Sequence, residues 1–187
     1  MIQKMSDEEY FAHKAISQSF LKAFKRSPAH ALHAMKNPKP PSDAMLIGTC
    51  LHALILENKR VFVALPESAK GTSNAAKMVK SAFYLENEGK IILSADDAAK
   101  VEAMAESVLN HSGARAILDL GGESELPIFW EENGLTMKGK IDRVNPLGVI
   151  DVKTTKDASL AEFAKSVYNF GYHVQAAHYL AGAAANG

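Results

Sequence analysis

The sequence offers little for covalent cross-linking or membrane insertion. A single cysteine, Cys50, in 187 residues excludes an intramolecular disulfide. That usage fits a reducing, cytoplasmic setting. There is no long hydrophobic run. The longest, Ala44 to Leu56, is interrupted by Gly48, Thr49 and His52 and is too short to span a bilayer, so no membrane partner is expected. The segment Met1 to Tyr10 is polar and mixed in charge, without the apolar stretch of a secretory signal. Net charge is missing as well, since Lys+Arg and Asp+Glu both number 21. The whole-molecule charge therefore does not announce nucleic acid.

What is present is ordinary for a globular chain, with 47% hydrophobic and 22% charged residues. A chain of this size buries a core without staples. One domain over 1–187 is expected, with 1–41 as an N-terminal helical segment and linker. The first forty residues are locally basic: Lys4, Lys14, Lys22, Lys25, Arg26, Lys36 and Lys39 stand against Asp7, Glu8 and Glu9. On charge alone this is a solvated helix face.

Ser17 or Ser19 can cap a helix over Gln18 to Arg26, which Ser27-Pro28 ends or restarts. A second helical stretch, Ala29 to Met35, runs into the rigid Asn37-Pro38-Lys39-Pro40-Pro41 linker. Ser42 or Asp43 can cap the next helix. It runs to about Glu57 and is apolar nearly all round, which predicts burial. Pro66 to Lys80 is small and polar, and reads as a mobile loop, either ligand-contacting or a plain connection. Ser94 with Asp97 resembles a capping box, and Val101, Met104, Ala105 and Val108 follow at helical spacing. Ser159 to Ala185 reads as helix broken near Gly171.

Residues 124–154 read as strands punctuated by two turns. Asn133-Gly134 is a two-residue hairpin signal, and Asn145-Pro146-Leu147-Gly148 carries Pro at its second position. Three antiparallel strands follow, at about 125–131, 136–144 and 149–154. In the tightest registers Glu125 faces Asp142, and Asp142 faces Asp151. With side chains alternating, Lys153 shares the face of Asp151, and Lys138 and Lys140 share that of Asp142. Val144 and Val149 then close the row near the turn, and Trp130 and Phe129 are expected in the core. Like charges directly opposite one another destabilise a sheet, so a row of three carboxylates calls for a divalent cation such as Mg²⁺. Lys153 would stand beside it, to orient or deprotonate an attacking water or to stabilise charge on phosphorus. Taken singly, each acid reads as a solvated surface residue. A bulge before Asp142 would take Glu125 out of line.

Asp142 followed by Asp151-Val152-Lys153 is a D…D-x-K pattern. Together, Lys140-Ile141-Asp142-Arg143, Ile150-Asp151-Val152-Lys153-Thr154-Thr155, Gln175-Ala-Ala-His-Tyr179 and Gly48-Thr49-Cys50-Leu51-His52 resemble the PD-(D/E)XK nucleases of the RecB and RecE group. Ser17-Gln-Ser19-Phe-Leu21-Lys22 with Ser27-Pro28, Glu125-Leu-Pro-Ile-Phe129-Trp130 and Gly171-Tyr172 resemble its RecE-like branch, with Pro127 where that branch has Ser.

The resemblance implies an α/β fold with a restriction-endonuclease-like core: a small mixed sheet with an antiparallel three-strand meander, flanked by helices. It implies Asp142, Asp151, His52 and the Val152 carbonyl as metal ligands for Mg²⁺, or Mn²⁺ in its place. Lys153 would be the catalytic lysine and Glu125 a further acid, while Gln175 and Tyr179 would position Lys153 or a phosphate. Without the resemblance His52 reads as a core histidine, and Gln175 and Tyr179 as helix packing. The implied activity is 5′→3′ exonucleolytic hydrolysis at the ends of linear double-stranded DNA, in phage-type recombination. A RecT-type annealing partner, a homo-oligomer and a phosphate-contacting basic N-terminal segment go with it. The chain stops at Gly187, soon after the Gln175–Tyr179 element, where such relatives continue. That leaves open a truncated, shortened or minimal domain, and with it a non-catalytic DNA-binding or assembly module; an endonuclease is a separate alternative.

Overall fold

A computed structural model describes residues 5–187. Lys4 of the basic segment lies outside the described residues. In chain order the elements are α1 (Asp7–Ala12), α2 (Gln18–Arg26), α3 (Pro28–Lys36), α4 (Asp43–Glu57), β1 (Phe62–Ala64), a 3-10 turn (Glu67–Ala69), α5 (Asn74–Glu86), β2 (Ile91–Leu93), α6 (Ala95–Asn110), α7 (Ser112–Asp119), β3 (Glu123–Glu132), β4 (Leu135–Asn145), β5 (Gly148–Ile150), α8 (Leu160–Phe170) and α9 (Tyr172–Asn186). The fold class is α/β as expected, with an antiparallel three-strand sheet flanked by helices, consistent with a restriction-endonuclease-like core. No helix among the described residues is long and apolar enough to cross a membrane.

The chain divides into two compact units, Met1–Pro40 with Gly121–Gly187, and Pro41–Leu120. The second unit is mainly helical. Ser42 caps α4 by accepting from the Met45 N–H, and Asn58 closes the helix in the left-handed conformation. Cys50, Leu51, Ala53, Ile55 and Leu56 are buried, whereas Met45 in the first turn is exposed. The helix α6 lies against α4 and against the parallel pair β1–β2. Its N-cap is Ser94, which accepts from the Asp97 N–H and donates to the Asp97 carboxylate.

The loop expected over Pro66 to Lys80 is mostly helical. Ser73 accepts a hydrogen bond from the Ala76 N–H and starts α5 at Asn74. The alanines and lysines that follow are strong helix formers, and they outweigh the small polar character of residues 67–74. The strands β1 and β2, the helix α7 and the bounds of α1 within the expected N-terminal helical segment were not anticipated either. Three-residue strands and six- to eight-residue helices show too little periodicity to be read from the sequence.

The first unit is organised by the sheet, in the order β3-β4-β5. Asn133 (φ 52°) and Gly134 (φ 74°) make the turn between β3 and β4, both in the left-handed region that such a tight turn requires. The resulting pairs run from Glu132↔Leu135 to Glu123↔Val144, which is the expected register. The second hairpin pairs Val144↔Val149 and Arg143↔Ile150, again as expected. One face of the sheet carries Leu126, Ile128, Trp130, Met137 and Ile141, all buried, with Tyr179 and Ala183 of α9 packed against them. Gly182 allows this approach: a Cβ there would stand 2.5 Å from Ile128 Cδ1 and 2.6 Å from Trp130 Cζ3.

The opposite face is closed near the β3–β4 turn by the N-terminal segment. Phe129 packs edge-on to Tyr10, with the His13 ring nearby. Ile16 bridges to Met137, with the Ile16 N–H donating to the Thr136 carbonyl and the Lys138 N–H donating to the Ile16 carbonyl. This covers the stretch of β4 that the short β5 leaves unpaired, which removes an open edge.

Candidate active site

The polar face of the hairpin brings two carboxylates together. The pairs Ser124↔Arg143 and Leu126↔Ile141 place Glu125 opposite Asp142. Glu125 itself lies in the left-handed region, with φ 52°. Such a backbone costs a non-glycine residue roughly 1–3 kcal/mol and persists where the surroundings impose it. The carboxylate oxygens of Glu125 and Asp142 lie within 4.8 Å of each other. Ligand oxygens opposite one another on Mg²⁺ stand roughly 4.2 Å apart, and about 5 Å apart on Ca²⁺. The spacing and the hard oxygen donors therefore fit one divalent cation.

Val152 and Lys140 help hold these acids in place. Asp142 is 9% exposed, and its Oδ2 accepts the Val152 N–H at 2.7 Å. Lys140 places its Nζ 2.8 Å from Glu125 Oε2 and 2.6 Å from Asp7 Oδ1. Burial works against the Lys140 ammonium, but its hydrogen bonds to Asp7 and Glu125 outweigh that and raise its pKa. Lys138, on the same face, has a different task. Its Nζ donates to the Tyr10 and His13 carbonyls at 2.7 and 2.8 Å and lies over the Tyr10 ring. Burial lowers its pKa.

The third strand is shorter than expected. It ends at Ile150, so Asp151 and Lys153 sit on the irregular segment that follows, and the row of three acids within the sheet is not formed. The reason is local. The Val152 N–H is taken by the Asp142 side chain, which stands in for a backbone ladder partner. Asp151 and Lys153 nevertheless form one charged pair, with Lys153 Nζ 2.5 Å from Asp151 Oδ2 and 5.2 Å from the centre of the Tyr172 ring.

The helix α9 supplies the anchor. Gly171, at φ 70°, ends α8 and turns the chain into α9. Gln175 and Tyr179 lie one turn apart on it, so both side chains reach the same place. The Gln175 amide donates to Asp151 Oδ1 at 3.2 Å and to the Tyr179 hydroxyl at 3.0 Å. The Tyr179 hydroxyl is pushed up to about 12, first by burial and then by the charges of Asp142, Asp151 and Glu125, against the lowering effect of Gln175. All three carboxylates thus act on a single phenol, although only Glu125 and Asp142 share a strand pair.

Of the expected site residues, Glu125, Asp142, Asp151, Val152, Lys153, Gln175 and Tyr179 all belong to the first unit. His52 belongs to the second, where it is half-buried on α4. Sequence reasoning missed three supporting residues. Gly139 leaves room for Tyr179: a Cβ there would stand 3.2 Å from the Tyr179 ring. A glycine inside a strand is a signal for such close approach. His178 is buried, with its Nε2 2.9 Å from the Lys138 carbonyl oxygen, and packs on Trp130. Asp7 reaches Lys140 from α1, a pairing across the chain that no spacing rule reveals.

No curated protein matches the chain significantly. Residues 17–186 match the family described as a PDDEXK-like domain of unknown function (DUF3799). The D…D-x-K residues thus converge in space within a match that spans nearly the whole sequence, and the chain belongs to this PDDEXK-like family, a membership that points to a nuclease.

Proposed function

We propose that the protein is a Mg²⁺-dependent deoxyribonuclease of the RecE-like branch, acting as a 5′→3′ exonuclease at the ends of linear duplex DNA. The observation that carries this reading is the approach of the Glu125 and Asp142 carboxylates to within 4.8 Å. A divalent cation held there would polarise the phosphate and acidify water. Mn²⁺ should substitute for Mg²⁺, because the donors are hard oxygens. The resemblance adds Asp151, the Val152 carbonyl and His52 as further ligands.

The chain's own residues have separable tasks. Asp142 would help hold the cation, and its Oδ2 accepts the Val152 N–H. That bond fixes the segment carrying Asp151 and Lys153. Asp151 holds the Lys153 ammonium, and Gln175 holds Asp151. Lys153 is then placed to orient the attacking water or to stabilise charge on the phosphoryl oxygens. Exposed Lys14, Lys25 and Arg26 on the N-terminal segment are candidates for phosphate contacts along the duplex. A homo-oligomer and a RecT-type annealing partner complete the proposal on the strength of the resemblance.

The test is degradation of end-labelled linear duplex by the purified chain with Mg²⁺, with a chelator control and Lys153→Ala. Loss of label from the 5′ ends, abolished by Lys153→Ala, supports the reading. Cutting of closed circular DNA indicates an endonuclease. No cleavage by folded, metal-binding protein indicates a non-catalytic DNA-binding or assembly module.

A further inference from the structure

Lys140 occupies a position that the cleavage reaction does not use. Its ammonium bridges Glu125 and Asp7, with Nζ–O distances of 2.8 and 2.6 Å. Three donors allow it to hold both acids at once. The Lys140 side chain is only 19% exposed, so an ammonium pushed off Glu125 cannot simply retreat into water. It needs a second anion, and Asp7 is built to be one. The helix α1 is fixed at its start by a capping box, in which Ser6 accepts from the Glu9 N–H and Glu9 accepts from the Ser6 N–H. At its end Lys138 ties down the Tyr10 and His13 carbonyls. Lys138 and Lys140 are two residues apart on one face of β4, and both reach α1. Asp7 is therefore held beside Lys140 by contacts at both ends of its helix.

We propose that Lys140 and Asp7 set the affinity of the paired acids for a divalent cation. Without metal, Lys140 neutralises Glu125. When a cation binds, the Lys140 ammonium is repelled from Glu125 and is retained by Asp7. The inference rests on the metal-centre reading above and concerns its regulation by the N-terminal helix. Electrostatics gives the two charges opposite signs of effect. Lys140 competes with the cation for Glu125, so removing its charge tightens binding. Asp7 draws Lys140 away, so removing its charge weakens binding. Asp7 has the smaller effect, because its side chain is 68% exposed and screened by solvent.

The experiment is a titration of the metal-free full chain with Mn²⁺ alone, following free ion by electron paramagnetic resonance, with thermal melts as a check on folding. Lys140→Met should lower the Kd about tenfold, and Asp7→Asn should raise it about threefold. Lys140→Arg, which keeps the charge, should stay close to the starting protein. Asp7→Asn should have no effect in the Lys140→Met background. If Lys140→Met fails to fold, Lys140→Gln carries the same expectation. A merely structural bridge predicts weaker binding in both single variants, and that result overturns the inference, as does an unchanged Kd in a folded Lys140→Met. Asp142→Asn separates the two levels. If it binds Mn²⁺ normally, the metal-centre reading fails. If it abolishes binding while Lys140→Met does not tighten it, the Lys140–Asp7 inference alone fails.

Discussion

The two faces of the β3–β4 hairpin share a backbone and a register, yet they spend their side chains differently. One carries Leu126, Ile128, Trp130, Met137 and Ile141 against α9 and is sealed by close packing. The other carries Glu125, Asp142, Lys138 and Lys140, and is organised by charge and hydrogen bonds. The apolar face gains from burying area and needs no particular geometry beyond fit. The polar face does the reverse. It holds like charges side by side and a glutamate in the left-handed region, both destabilising alone. Stability and function are thus divided across one hairpin, and α9 serves both: Gly182, Ala183 and the Tyr179 ring pack on the apolar face, while Gln175 reaches Asp151 and the Tyr179 hydroxyl.

That division can be broken from either side. The largest effect is expected from Asp142→Asn, which removes a ligand charge and should lower DNA cleavage roughly 10³-fold or more. Single-turnover assays check this, and retained activity would place the chemistry elsewhere. Trp130→Ala should act on stability, costing about 3–5 kcal/mol in urea unfolding through the lost packing of a 7% exposed ring. Gly182→Ala is finer. It gains about 1 kcal/mol of helix propensity, but its Cβ meets Ile128 and Trp130, and overpacking of about 1–3 kcal/mol should win. A stabilised variant would show that α9 can move away from the sheet.

Tyr179→Phe removes the hydroxyl that accepts from Gln175. It should lower kcat roughly threefold to tenfold with little change in KM, the effect of one lost hydrogen bond. The smallest effect serves as a control in the helical unit. Hydrogen bonds from Ser94 and Lys100 hold the Asp97 carboxylate below its ordinary value. A carboxylate lowered by folding adds stability above its unfolded pKa, and that stability is lost as pH falls through the folded value. Asp97→Asn should therefore flatten the acid limb of the melting-temperature profile below about pH 4, while leaving cleavage unchanged.

Much of the sheet was legible because its signals are local. Asn133-Gly134 permits little but a tight turn, and alternation with period two then assigns every side chain of β3 and β4 to a face. Gln18 to Arg26 was legible as a helix for a similar reason, since Ser17 and the proline after Ser27 mark its ends. The loop expected at Pro66 to Lys80 shows the limit. Small polar residues suit a loop or a helix start equally, and the cap at Ser73 decided between them.

The opening turn residues and the alternation of apolar and charged side chains were enough to oppose Glu125 to Asp142, because register depends on neighbours in sequence. They could not place Asp151 and Lys153. Strand β5 stops at Ile150 because the Asp142 side chain from β4 takes the Val152 N–H, and the segment beyond is held by Gln175 from a helix twenty-four residues further along. Nor could they pair Asp7 with Lys140, whose meeting depends on how α1 lies on the sheet. Such contacts join distant parts of the chain, and only the packed fold brings their partners within hydrogen-bonding distance.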